Sequence, residues 1–112
     1  MEKDNSIFVG TKPFMNYVTG VVIQFTTKGA DEVLVKARGK FISRAVDVAE
    51  ISLKRFLKDQ IKIKTINIDS EEFKNKEGKD VHVSTIEIVL ERINKDTSEQ
   101  EAVEASDVNY NN

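Results

Sequence analysis

"DEVLVKARGKFISRAVDVAEI", residues 31–51, changes its period halfway along. Residues 31–37 form a short β-branched run that reads as a strand. Beyond them the apolar residues fall at 42, 45/46, 49, 53 and 56/57, a helical spacing that predicts a helix over 43–60 with Ser43 as its N-cap. The same order precedes this stretch. "SIFVG" (6–10) reads as a strand closed by Gly10, and residues 11–29 as a helix between Pro13 and Gly29, with apolar positions at 14/15, 18, 21/22 and 25. Gly20 inside that helix costs about 1 kcal/mol relative to Ala, so a close neighbour is expected there. "IKIKTINIDSEEF" (61–73) alternates but slips phase between Ile63 and Ile66, which predicts a bulge. A turn over 74–79 around Gly78 leads into a second alternating run, 80–93.

The element order is therefore βαβαββ. Right-handed crossovers make the first three strands run the same way, and the final hairpin reverses the fourth. The expected fold is a two-layer α+β sandwich, a mixed four-stranded sheet with two helices on one face. Crossovers also place both strand-to-helix turns, 10–13 and 37–43, at the same carboxyl edge of the sheet, and the hairpin tip at 70–80 projects from that edge too.

That edge collects positive charge. Lys12 lies in the first turn, Lys36, Arg38, Lys40 and Arg44 lie in or beside the second, and Lys74, Lys76 and Lys79 lie on the hairpin above Lys62 and Lys64. Each turn also feeds a helix N-terminus, which favours anions. Cations, backbone donors and an extensible arm at one edge suit a polyphosphate backbone. The plain alternative is a solvated surface, and the hairpin favours it. Asp69, Glu71, Glu72, Glu77 and Asp80 outnumber the hairpin's three lysines.

The whole chain of 112 residues holds 17 Lys+Arg and 19 Asp+Glu, a net charge of −2. Residues 94–112 carry five acids against Lys95, so residues 1–93 hold 16 basic and 14 acidic residues and a charge of +2. The expected division is a folded domain over 1–93 and an acidic, disordered tail over 94–112. The apolar share of 39% suits one small core. There is no cysteine, no apolar run long enough for a spanning helix, and no secretory h-region in "MEKDNSIFVG". A cytoplasmic protein with no membrane partner is expected.

At the two turns the chain resembles the Alba family of archaeal chromatin and RNA-binding proteins. "VGTKPFMNYV" (9–18), "VLVKARGKFISRAVDVAEI" (33–51), "RFL" (55–57) and "VSTIEIVL" (83–90) carry the likeness, which runs from about residue 6 to residue 93. The resemblance implies a fold like the C-terminal domain of translation initiation factor three. It implies a homodimer, associated with the chromosome, that binds double-stranded DNA without sequence preference, and RNA as well. Its basic faces would track the backbone while the hairpin arms reach toward the minor groove. Carried-over phosphate contacts are Lys12, Lys36, Arg38, Lys40 and Arg44, and Phe56 resembles the aromatic used between neighbouring dimers in higher assemblies. Thr11 replaces the first of a lysine pair, the one reported as acetylated, so that control is not implied here. His82 stands where relatives often have arginine. Both changes remove positive charge and imply weaker or more salt-sensitive binding, or a tilt toward another nucleic acid.

Other chemistries find little support. His82 has no spacing that suggests a metal site or a catalytic triad, and no P-loop pattern occurs. Asp47 and Glu50, at i and i+3 on a helix, read as ion-pairing residues, Asp47 with Arg44. No cofactor and no enzymatic activity are expected. Phe14 and Met15 read as packing residues, with Tyr17 the aromatic nearest solvent. An RNA-processing or translation-linked role is the main alternative, and a protein-interaction module the third reading.

Overall fold

The computed structural model describes residues 5–93; the acidic segment 94–112 lies outside them. The elements are β1 (Ser6–Phe8), α1 (Phe14–Thr26), β2 (Glu32–Arg38), a 3₁₀ turn (Gly39–Phe41) running into α2 (Ile42–Ile51), a π turn (Ser52–Phe56), β3 (Ile61–Lys74) and β4 (Asp80–Arg92). One sheet has the order β1-β2-β4-β3. β1 and β2 are parallel, and β4 is antiparallel to both β2 and β3. The first three strands thus run the same way, as expected, with β4 inserted between β2 and β3.

Both helices cover one face. Val33, Val35 and Ala37 of β2 and Ile86, Ile88 and Leu90 of β4 meet Val18, Val21 and Phe25 of α1 and Ala45, Val48 and Ala49 of α2, all buried. Burying such an aliphatic side chain contributes about 1.5–3 kcal/mol, so this layer dominates stability. Gly20 has the close neighbour its position predicts: a Cβ there would lie 3.3 Å from Ile7 Cδ1.

The second helical segment departs from expectation at both ends. Gly39 adopts φ +59, turning the chain directly after β2, so helical winding begins there. Ser43 therefore lies inside α2 and caps nothing; Phe41 holds the cap position, with no side-chain cap bond. At the far end, Leu57 N–H donates to Ser52 O at 2.9 Å, an i to i+5 bond. The extra residue rotates Leu57 into the core, at 2% exposed, and leaves Phe56 48% exposed.

The bulge falls where the phase slip puts it. Pairing with β4 skips Lys64 between Ile63 and Thr65. The Lys64 ammonium reaches Glu32 Oε2 at 2.6 Å, and that hydrogen bond and charge raise its pKa. The bulge keeps Ile63, Ile66 and Ile68 on the helix side, opposite Leu90, Ile88 and Ile86. The helices do not extend over this edge strand, so Ile66 and Ile68 stay 55% and 79% exposed.

Candidate nucleic-acid interface

The first corner is organised by Tyr17. Its hydroxyl accepts hydrogen bonds from Gly10 N at 3.0 Å and Lys12 N at 2.9 Å. With those partners inside the turn the ring can be buried, so Tyr17 is a core residue and Met15, 46% exposed, takes the solvent position. This reverses the assignment made from sequence. Replacing Tyr17 by Phe leaves two amides without that acceptor. An unfolding free energy lower by about 1–3 kcal/mol is expected in urea denaturation, and an unchanged value would mean water satisfies the turn equally well.

Arg44 joins the corners. Its Nη1 donates to Gly10 O at 2.8 Å, and its guanidinium stands 5.9 Å from the Tyr17 ring. A side chain 34 positions along the chain thus clamps the second helix to the first turn. Nη1 is thus bonded to the first turn, in place of the expected pair with Asp47, while Glu50 pairs with Lys54 at 2.9 Å. Gly10 also shares a concavity with Lys36 and Arg38. The two corners are therefore adjacent, and Lys12 is bonded through its amide into the same cluster.

At the second corner, Lys36 stands 5.4 Å over the Phe8 ring and 3.6 Å from Glu87. Arg38 pairs with Glu71 at 2.9 Å and stands 5.9 Å from the Phe73 ring. Lys40 lies over Phe41 at 5.4 Å. Neither helix carries an acid in its first turn or a side-chain cap, so their dipoles face this edge uncompensated.

The arm begins where β2 ends. Arg38 is the last residue of β2 to pair, opposite Thr85, and Asp69 pairs with Thr85 from the other side. Residues 70–84 continue as two strands alone. At the tip, Asn75 Oδ1 accepts from Glu77 N and Lys79 N, and Gly78 turns at φ +81. Lys74 pairs with Asp80 at 2.8 Å, while Lys76 and Lys79 are exposed. His82 Nδ1 lies 3.9 Å from Glu72. Part of the arm's acidity is thus matched by Arg38 and Lys74, which the sequence count alone does not reveal. Among the described residues no three His, Asp or Glu gather as a metal site.

Sequence reading missed the open sheet face. Phe8 is 66% exposed there, although "IFVG" reads as uniformly apolar. Strict alternation, with Ile7 and Val9 inward, is the signal that turns Phe8 outward.

A βαβαββ sandwich with two adjoining cationic corners and a projecting two-stranded arm defines the class. The sequence model of the Alba family matches residues 5–70. A "DNA/RNA-binding protein Alba" of Methanococcus maripaludis is 53% identical over 87 residues, 78% of this chain and 97% of the relative. Its namesake in Methanoculleus marisnigri is 58% identical over 90 residues, 80% of this chain and 96% of the relative. The solved structure of Alba from Thermoplasma volcanium, 50% identical, superposes with a TM-score of 0.71 over 79% of this chain and all of that one. The chain belongs to the Alba family.

Proposed function

We propose that the chain is a non-enzymatic, homodimeric protein that binds double-stranded DNA with little sequence preference and coats or compacts archaeal chromatin. Curated relatives named as DNA/RNA-binding support this reading. The single observation that carries it is the adjacency of the two corners, with Arg44 bonded to Gly10 O. On this reading Lys12, Lys36, Arg38 and Lys40 are the phosphate contacts. Arg44 supports them by holding the corners together. Lys74, Lys76 and Lys79 serve the arm, and Phe56 contacts the next dimer along the nucleic acid.

Ion pairs do not argue against this role. Surface pairs such as Arg38–Glu71 contribute about 0–1 kcal/mol, so a phosphate can replace the carboxylate. Dimerisation is supported by Ile63, Ile66 and Ile68, an exposed apolar strip on an edge strand, the kind of surface that proteins cover. No helix among the described residues is long and apolar enough to cross a membrane. The proposed location is the cytoplasm, on the chromosome.

RNA binding is the second reading, favoured by the same relatives' names. Gel-shift titration with duplex DNA and structured RNA at several salt concentrations tests both. Steeply salt-dependent retention supports nucleic-acid binding, and the tighter ligand identifies the main target. No retention of either would leave a protein-interaction module.

A further inference from the structure

A row of side chains crosses all four strands on the open face. Phe8 pairs in register with Lys36, Lys36 with Glu87, and Glu87 with Asn67. The row is joined by contacts: Lys36 over the Phe8 ring at 5.4 Å, Lys36 to Glu87 at 3.6 Å, and Asn67 Nδ2 donating to Glu87 Oε1 at 3.0 Å. These residues line a concavity of about 630 Å³ that also includes Arg38, Asp69 and Glu71. Adjacent strands are about 4.8 Å apart, so the row spans roughly 14 Å, long enough for a nucleobase and its sugar.

The charge inside this concavity differs from that of the corners. Asp69, Glu71 and Glu87 face only two cations, Lys36 and Arg38. Beyond Lys36 and Arg38, a phosphate backbone would be repelled by Asp69, Glu71 and Glu87. A base would not: its ring can stack on an exposed aromatic, and its N–H groups can donate to a carboxylate. The geometry points to a binding site for an unpaired guanine of a single strand, with the base on Phe8 and its amino edge toward Glu87 and Asn67. Guanine suits the site best because N1–H and N2–H donate side by side to one carboxylate. Uracil offers one N–H between two carbonyls, which a carboxylate repels. The incoming base takes the place of the Lys36 ammonium over Phe8 and frees it for the flanking phosphate. The site rests on the nucleic-acid reading above and shares Lys36 and Arg38 with the second duplex-binding corner.

The test uses the full chain and strands of about eight nucleotides, carrying one guanine in a uridine background, as RNA and as DNA, beside a duplex. Phe8→Ala is expected to weaken binding of the guanine-containing strand by about ten-fold and duplex binding far less. Phe8 is largely exposed, so the fold should tolerate this change. Phe8→Trp should restore affinity, and its fluorescence should be quenched by the guanine strand more than by uridine alone. Equal binding of guanine and uridine strands, or an unaltered affinity in Phe8→Ala, overturns the site while duplex binding stands. The tighter of the RNA and DNA strands identifies which single strand supplies the guanine. Loss of all salt-dependent binding by the unaltered chain overturns the broader reading, and the site with it.

Discussion

Duplex affinity is expected to fall about 10³- to 10⁵-fold between about 50 and about 200 mM salt. The magnitude follows from counting cations. Lys12, Lys36, Arg38 and Lys40 from two protomers would neutralise about eight phosphates, and each releases condensed counterions. The plot of log affinity against log salt should be linear and nearly the same for unrelated sequences, because phosphate contacts position the protein without reading bases. Filter-binding or anisotropy titrations measure it. A shallow slope would mean that the cations stay with their carboxylate partners, Lys36 with Glu87 and Arg38 with Glu71.

Ile68→Glu is expected to convert the proposed homodimer to monomer. Ile68 is 79% exposed on the helix side of β3, next to Ile66. Exposure in the monomer means that the substitution does little to the fold, whereas a carboxylate in a dimer core would be desolvated without a partner. Equilibrium sedimentation at micromolar concentration should show the mass halved. Because a monomer presents half the cations, the salt slope should drop by about half as well. An unchanged mass would place the dimer contact elsewhere, or show that the chain works alone.

Much of this was legible in the sequence, for reasons visible in particular residues. The strand-helix alternation set out the element order, and the slip between Ile63 and Ile66 located the bulge at Lys64. Strand direction sufficed to bring the corners to one edge. The central position of β4 was not legible, because pairing between β2 and β4 leaves no local pattern. Nor was the choice of Leu57 over Phe56 for burial, which one residue of π winding decides. Side-chain roles were hardest. Arg44 reads as a phosphate contact, yet one of its N–H groups also ties Gly10 O, and Tyr17 is buried because its hydroxyl finds two amides. Both depend on contacts across a turn that periodicity does not encode. The Phe8–Lys36–Glu87–Asn67 row depends on register across four strands, which no local pattern states.

The central claim is that Lys12 and Arg38, on different corners, grip one phosphate backbone together. The most direct measurement is the salt slope of duplex binding for Lys12→Ala, Arg38→Ala and the double variant. If both residues contact phosphates, each change lowers the slope by about one for every phosphate it leaves unneutralised, and the double variant lowers it by their sum, with all sequences weakened alike. A slope that ignores Lys12 while responding to Arg38, or a weakening confined to particular sequences, would contradict it.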